Sequence, residues 1–131
     1  MDGAFRFGDS PELADELGRL VVEGFKTATV SAHCLFEIEG EALPQAGQCF
    51  TVLSGTDEPM AVIETTEVFL SPMNEVSEAF ALAEGEGDYR QWWDGHARYF
   101  TRVLAVHGIE FREDLLLVCE RFKVVGSVPD P

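Results

Sequence analysis

The chain has 131 residues, of which 46% are hydrophobic, and it carries nine Lys and Arg residues against 24 Asp and Glu residues, for a formal net charge of −15. This composition predicts one domain, residues 1–131, with one core and a loose C-terminal tail at residues 126–131. The negative charge repels phosphate backbones at long range, which argues against broad affinity for nucleic acids. Any nucleic-acid ligand would need a local basic groove.

The cysteines and the apolar runs indicate a cytoplasmic protein. Cys34, Cys49 and Cys119 form no CxxC pair, which is atypical of disulfide frameworks and of zinc sites. We expect Cys34 to be a buried structural thiol. No charged leader is evident, and the longest apolar runs are far shorter than the ~20 residues of a membrane span. We therefore expect a soluble cytoplasmic protein without a membrane partner; the sequence does not define the oligomeric state.

The first half of the chain predicts one helix followed by strands. Ser10 and Pro11 are typical of a helix start, because serine can cap the first turn and proline fits its first position. Gly24 is typical of the end of that helix. Alternating and β-branched residues then predict three strands, over 27–36, 48–53 and 60–70.

A short helix is predicted next, over residues 76–84. Asn74 is the expected N-cap, and Gly85 and Gly87 break the helix because glycine costs about 1 kcal/mol in a helix interior. The acidic run 84–88 is therefore predicted to be a loop between two helices.

The last elements are a long helix and a strand. Asp88 and Gln91 have the spacing of a capping box, which opens a helix that ends at Gly108. Alternation over 115–125 predicts the final strand. Together these elements favour an α+β fold with a small, mostly antiparallel, barrel-like sheet.

Lys26 is the first candidate for chemistry. A lysine acts as a general base only when its pKa falls from ~10.4 toward neutrality, and partial burial beside Phe25 would favour that. It would then take a proton from the hydroxyl of Thr29 or Thr27 and activate it as a nucleophile. The alternative is a solvated lysine beside ordinary strand threonines. Alternation along a strand places Lys26 and Thr29 on opposite faces, so convergence requires that the backbone after Gly24 is still turning.

The acidic run offers a second candidate. Glu84, Glu86 and Asp88 are possible ligands for a hard cation, but the EF-hand spacing is missing. One carboxylate acting as a proton donor is the better functional interpretation, and a flexible acidic loop is the alternative.

The aromatic and histidine residues suggest packing more than metal chemistry. Trp92 and Trp93 point in different directions on a helix, so one is expected in the core while the other is available to stack on a base. The histidines show no HExxH pattern, and we predict neither a metal nor a cofactor. They are His33, His96 and His107.

Read in order, these residues make the chain resemble bacterial ASCH-domain proteins, whose barrel is related to the PUA domain. The resemblance implies a PUA-like small β-barrel of mostly antiparallel strands with flanking helices. It is carried by Phe7-Gly8-Asp9-Ser10, Gly24-x-Lys26-Thr27-x-Thr29, Pro44-x-x-Gly47, Ile63 to Val68, Glu84 to Asp88, Trp92 with His96, and Glu120-Arg121-Phe122.

The resemblance also implies a function. Small members of the family are amidohydrolases that remove the acetyl group from N(4)-acetylcytidine with a lysine, a threonine and a glutamate. By the motif, the base is Lys26 and the nucleophile Thr29. The proton donor is Glu84, twenty residues after Glu64 of the Ile-Glu strand element. The residues expected to bind the small nucleoside substrate are Thr27, Ser31, Trp92, Arg98 and Arg102.

Two alternatives stay open beside hydrolysis of a nucleoside. Another branch of the family binds or cleaves single-stranded RNA, which here would lie in a groove lined by Lys26, Arg98, Arg102 and one of the tryptophans. The other alternative is an interaction module without activity. The chain departs from the small amidohydrolases by Ser31, where a basic residue often follows the motif, and by the added 88–108 helix.

Overall fold

The computed structural model describes residues 1–127 and shows an α+β fold built on a five-stranded mixed sheet. The strands are β1 (Ala4–Phe5), β2 (Ala28–Ala32), β3 (Cys49–Leu53), β4 (Pro59–Pro72) and β5 (Leu116–Ser127). The helices are α1 (Pro11–Val22), α2 (His33–Glu39), α3 (Glu78–Ala83) and α4 (Tyr89–Ala105), with a 3-10 turn at Met73–Glu75. Within residues 1–127, no helix has the length and apolarity needed to cross a membrane.

The sheet has the order β1-β3-β4-β5-β2 and is open. All neighbouring strands are antiparallel except β1, which is parallel to β3. Over the described residues the edge strands β1 and β2 do not pair with each other, so the sheet is not closed into the expected barrel. The physical reason is the length of β1, which has two residues and pairs only with β3. The α+β class is confirmed.

Strands β4 and β5 form the centre of the sheet. They pair from Ala61 opposite Ser127 to Pro72 opposite Leu116. Register shifts in β4, at Val62/Ile63 and at Thr65/Glu67, mark irregularities of the kind that bend a strand and increase its twist. One face of the sheet, which carries Ser31, Thr65 and Phe122, lines a cavity, and we call it the cavity face.

The end of β5 corrects the expected tail. Gly126 and Ser127 are strand residues that lie opposite Val62 and Ala61. The loose tail predicted from residue 126 is therefore wrong for these two residues, because ladder pairing to β4 holds them. Residues 128–131 lie outside the described residues.

Helix α1 begins and ends as predicted. The Ser10 hydroxyl accepts a hydrogen bond from the Leu13 amide at 3.1 Å, and Pro11 takes the first helical position. The chain leaves the helix at Gly24, whose φ of 86° lies in the left-handed region that favours glycine.

The strand predicted over 27–36 is too long. It ends at Ala32, and the next residues form α2. This helix is closed by Gly40 at a φ of 66°, and His33 reaches Glu37 one turn later, with Nδ1 and Oε1 3.1 Å apart. A pattern that alternates over few residues does not separate strand from helix. Cys34 is consequently a half-buried helix residue, not a buried strand residue.

The short helix α3 starts later than predicted. Its N-cap is Ser77, whose hydroxyl accepts from the Phe80 amide at 3.1 Å, while Asn74 lies in the 3-10 turn. Val76 is extended between the two elements, which prevents a continuous helix. The capping box of Asp88 and Gln91 on α4 is confirmed.

Two hydrophobic clusters pack against the sheet. The larger one joins β2 and β5 to α3 and α4, and the smaller one joins β3, β4 and β5 to α1. Alternation along β5 supplies both, because Leu117 and Cys119 belong to the larger cluster and Phe122 to the smaller.

The glycine that ends α1 can be tested against a glycine inside α4. Gly24→Ala should lower the free energy of unfolding by about 1 kcal/mol, because an L side chain is strained in the left-handed region. Gly95→Ala should raise it by about 0.5 kcal/mol, because the helix has open space there and alanine costs less chain entropy. Urea denaturation of both variants measures the two effects, and equal effects of the same sign would contradict the assignment.

Candidate active site

The turn after α1 brings Lys26 to the cavity face of the sheet. The amides of Phe25 and Lys26 both donate to the Leu20 carbonyl, at 2.9 and 3.1 Å, so the backbone is still turning at Lys26. Strand β2 begins at Ala28, and the alternation that would separate Lys26 from Thr29 does not extend to the lysine. Both residues line the same cavity.

The acidic loop after α3 packs directly on this turn. The Thr27 amide donates to the Ala83 carbonyl at 2.8 Å, which ties the two segments together. Gly85 has a φ of 75°, and a Cβ there would lie 2.5 Å from the Phe25 carbonyl oxygen. Only glycine permits so close an approach of the two backbones. The approach places Glu84 and Glu86 beside Lys26.

Lys26 is a buried cation between two carboxylates. Its Nζ lies 3.1 Å from Glu84 Oε1 and 3.4 Å from Glu86 Oε2. Lys26 is 2% exposed and Glu84 1% exposed, which excludes the solvated lysine. Phe25, the neighbour expected to shield the lysine, is itself 64% exposed. The shielding ring is Phe7, whose centroid is 5.2 Å from Nζ.

Two residues of α4 complete the cluster around Glu84. Trp92 Nε1 donates to Glu84 Oε2 at 2.5 Å. His96 Nδ1 lies 2.8 Å from the Trp92 carbonyl, so this nitrogen carries a proton because a carbonyl only accepts. His96 Nε2 lies 3.4 Å from Glu84 Oε1. We call Lys26, Glu84, Glu86, Trp92 and His96 the ion cluster.

The cluster shifts the pKa values of two of its members. Burial alone would raise the pKa of Glu84, but Lys26, His96 and Trp92 outweigh it and lower that pKa to about 2. Burial would likewise lower the pKa of His96, but the hydrogen bond and charge of Glu84, with the charge of Glu86, raise it above 6.5. The resting cluster therefore contains an ionised Glu84.

The cluster also has the composition of a cation site. Ligand atoms of Glu84, Glu86 and His96 lie within 4.8 Å of one another. The ammonium of Lys26, however, already lies against the same two carboxylates. An added metal ion would have to displace or repel that ammonium, so these residues fit an internal cation better than a metal.

A cavity of about 690 Å³ opens in front of the cluster, between the sheet, α1 and α4. This volume lies in the usual range for sites that bind small molecules. Its aromatic lining comes from Phe5, Phe7, Phe36, Phe50, Tyr99 and Phe122. Its polar lining includes Lys26, Thr29, Ser31, Thr65, Glu84, Glu86, His96, Arg98, Arg102 and Glu120.

Most of the residues expected to bind substrate line this cavity, namely Ser31, Arg98 and Arg102. Arg102 is already engaged by Asp9, to which Nε and Nη2 donate at 3.0 and 3.1 Å.

Two expected binding residues lie elsewhere. Thr27 is absent from the lining, and its hydroxyl donates to the Ala83 carbonyl at 3.3 Å. Trp92 is fully buried at 0% exposure and packs in the larger cluster, where Trp93 also packs. Neither tryptophan lines the cavity, so the expected stacking of a base on one of them is not supported.

Sequence reasoning missed three polar residues of the site. Glu86 lay in the acidic run but received no separate role, and Glu120 was noted only within a motif. His96 was considered as a metal ligand and named beside Trp92 in the motif, but it received no role, although it follows Trp92 by four residues and so shares its helix face. That spacing was the available signal.

Comparison with known proteins agrees with this architecture. The model of the ASCH domain matches residues 3–126. The chain belongs to the ASCH family. ASCH domains in general bind RNA or resemble hydrolases. None of the curated proteins matches the chain.

Solved structures support the same assignment. A protein from Enterococcus faecalis V583 is 47% identical with a TM-score of 0.89, over 95% of this chain and 76% of that one. The ASCH domain from Lactobacillus crispatus JV V101 is 38% identical with a TM-score of 0.88, over 93% and 78%. The ASCH protein from Zymomonas mobilis shares the fold at 11% identity and a TM-score of 0.57, over 97% and 73%.

Removing the carboxylate of Glu84 should unfold the protein more easily. We expect Glu84→Gln to lower the free energy of unfolding at pH 7 by about 3–5 kcal/mol, because Lys26 would remain buried without its main partner. The matched control is Glu67→Gln, whose ion pair with Arg121 is exposed and should matter by less than about 1 kcal/mol. Denaturant titration measures both variants.

The stability lost in Glu84→Gln should become smaller as the pH falls. The folded pKa of Glu84 is about 2 and its ordinary value is 4.5, so its stabilisation is complete above pH 4.5 and disappears as the pH falls toward 2. The difference in stability between the wild type and Glu84→Gln should shrink over that window. A difference that is constant from pH 6 to pH 3 would contradict the ion pair.

His96 should report the negative charge around it. We expect an NMR titration of the wild type to give a pKa above 6.5 for His96, because Glu84 and Glu86 favour the imidazolium. Glu86→Gln should lower that pKa, since it removes one of the charges that raise it. A His96 pKa below 6.5 in the wild type would show that burial outweighs the carboxylates.

Proposed function

We propose that the protein is a metal-independent amidohydrolase that acts on acylated cytosine nucleosides such as N(4)-acetylcytidine. The observation that supports this proposal is the convergence of Lys26, Thr29 and Glu84 on one cavity. Lys26 and Glu84 are in direct contact at 3.1 Å. The hydrolase-like character of ASCH domains agrees with it.

The cavity suits a small uncharged ligand. Phenylalanine rings line much of it, and a nucleobase can pack against such rings. The net charge of −15 repels polyanions but not a neutral nucleoside. The volume of about 690 Å³ is sufficient for a base with its ribose.

The proposed reaction begins with a proton transfer inside the ion cluster. Glu84 is ionised at rest, so the Lys26 ammonium must first pass a proton from Nζ to Oε1 across their 3.1 Å contact. This transfer produces an amine base and a carboxylic acid without changing the net charge. Lys26 and Glu84 then have the two roles that cleavage of an amide requires.

Acyl transfer to threonine would follow. In residues 1–127 no hydrogen bond joins Lys26 to Thr29. The proposed proton transfer between them therefore requires that the two side chains approach each other when substrate binds. The Lys26 amine takes the proton of the Thr29 hydroxyl while Thr29 Oγ1 attacks the acyl carbon. Glu84 protonates the departing N4 amine, which restores the ammonium and the carboxylate. Water then hydrolyses the acyl-threonine ester.

Trp92 and His96 would act as positioning residues in this scheme. The indole N–H fixes Glu84 Oε2, which leaves Oε1 for Lys26. His96 Nε2 lies 3.4 Å from the same Oε1, and His96 lines the cavity. The orientation of the proton donor is thus set before substrate binds.

Binding of single-stranded RNA is the second candidate, since ASCH domains in general bind RNA. Three arginines line the cavity. Arg6 forms an ion pair with Asp57, with Nε 3.4 Å from Oδ1, and Arg102 forms an ion pair with Asp9. Among the described residues, Arg98 is the one cavity arginine in no ion pair. A single uncommitted arginine gives little attraction for phosphates, so hydrolysis of a nucleoside is the better-supported function.

The proposal predicts which substitutions abolish turnover. Lys26→Ala and Thr29→Ala should each reduce the release of cytidine from N(4)-acetylcytidine by at least about 100-fold, because each removes a reacting group. Chromatography of the reaction mixture measures cytidine directly. The matched controls are Lys123→Ala and Thr101→Ala, which change an exposed lysine and an exposed threonine and should retain wild-type rates.

Wild-type protein that releases no more cytidine than Lys26→Ala would sink this function. Retention of a short RNA that falls with salt and weakens in Arg98→Ala would then favour the RNA-binding alternative.

A further inference from the structure

Glu120 is a carboxyl group of the cavity that the proposed reaction does not use. It lies on β5, lines the cavity and is directly opposite Thr29 of β2. Side chains at such paired positions have Cβ atoms roughly 4.5–5.5 Å apart. Glu120 is therefore adjacent to the proposed nucleophile.

No cation in the described part of the chain neutralises this carboxyl group: Glu120 belongs to none of its ion pairs. Of the cations that share the cavity, Arg98 alone is in no ion pair of the described residues, and Arg6 is paired with Asp57. Lys26 and His96 contact Glu84, and Arg102 contacts Asp9.

The surroundings of Glu120 favour its neutral form. Burial raises its pKa to about 7, and a hydrogen bond from Thr65 offsets part of that rise. The titratable and charged groups that share the cavity are the carboxyl groups of Asp2, Glu41, Glu84 and Glu86, the phenol of Tyr99, and the cations Arg6, Lys26, His96, Arg98 and Arg102, beside the hydroxyls of Thr29, Ser31 and Thr65. Near neutral pH a substantial fraction of Glu120 is a carboxylic acid, which offers a donor and an acceptor side by side.

We propose that Glu120, as a carboxylic acid, binds the N3 and N4–H edge of the cytosine ring and so presents the acylated amine to Thr29. The Glu120 hydroxyl donates to N3, and its carbonyl oxygen accepts from N4–H. This proposal deepens the proposed function and rests on it for the identity of the ligand. The bond that breaks is at N4, so the edge of the ring that contains N4 must lie beside the nucleophile Thr29. Glu120 is the carboxyl group at that position.

The affinity for the cytosine edge should change with pH and with substitution of Glu120. Ionisation removes the donor and places a negative charge against the N3 lone pair, so the carboxylate binds this edge poorly. Glutamine keeps a donor and an acceptor at every pH, since its amide N–H₂ and carbonyl have the same arrangement. Alanine removes both.

The test measures equilibrium binding of cytidine, which has no acyl bond to hydrolyse, by titration calorimetry from pH 5.5 to pH 8.5. Wild-type affinity should fall by about tenfold or more over this range, because ionisation removes the hydrogen bond to N3 and places a negative charge against the N3 lone pair. Glu120→Gln should bind with little pH dependence, and Glu120→Ala should bind about tenfold more weakly than the wild type at pH 6. 3-Deazacytidine, which lacks the N3 acceptor, loses one of the two hydrogen bonds and should bind the wild type more weakly than cytidine does at pH 6.

The controls separate Glu120 from the other titrating groups and from the fold. His96 is also a titratable group of the cavity, so a pH dependence that persists in Glu120→Gln would assign the effect to His96 and overturn the proposal. Glu67→Gln, on the exposed side of β4, should behave as the wild type. Glu120→Gln is nearly isosteric, so the test does not depend on whether the alanine variant folds.

Failure of this inference is distinguishable from failure of the proposed hydrolysis. Cytidine binding with the expected pattern but no release of cytidine from N(4)-acetylcytidine would support Glu120 and reject the hydrolase. Hydrolysis with unchanged KM and reduced kcat in Glu120→Gln would make Glu120 a proton acceptor for Thr29 and overturn recognition of the base. Absence of cytidine binding by the wild type at millimolar concentration would also overturn it.

Discussion

The buried contact between Lys26 and Glu84 constrains much of the rest of the structure. A lysine at 2% exposure and a glutamate at 1% exposure are tolerated only when each satisfies the other. The end of α1 must therefore stop in a turn, and the loop after α3 must approach it closely enough for Gly85 to touch Phe25. The sheet, the helix ends and the cavity are arranged around this pair of charges.

The cations that line the cavity are mostly paired with acidic residues. Four of the nine Lys and Arg residues, Arg6, Lys26, Arg98 and Arg102, line the cavity together with His96. Each of those cations except Arg98 has an acidic partner within the described residues. The interior is thus polar but nearly balanced, which favours a ligand that is polar and uncharged.

Local signals in the sequence predicted the elements whose ends carry specific side chains. The serine and proline at the start of α1 and the capping box at the start of α4 act within four residues, so the sequence alone is sufficient to predict them. Strand β1 was missed because two residues carry no period, and β2 was drawn too long because a helical turn and a strand share short apolar patterns.

The candidate site was predictable where the motif fixes residue types and unpredictable where long-range contacts decide. Lys26, Thr29 and Glu84 were named from the motif and line the cavity. Their convergence depends on a turn and on a contact between segments 58 residues apart, which no local pattern encodes. For the same reason, Trp92 was assigned to substrate although tertiary packing makes it part of the core.

The hydrogen bond from Trp92 to Glu84 has a consequence for how such a protein evolves. Trp92 is packed among Phe100, Leu104 and the other residues of the larger cluster, and its indole holds the carboxylate of the cavity. A substitution deep in that cluster that shifts the indole by a fraction of an ångström also moves Glu84. Substitutions in the hydrophobic interior can then change catalysis. Selection therefore acts on these core residues through activity as well as through stability.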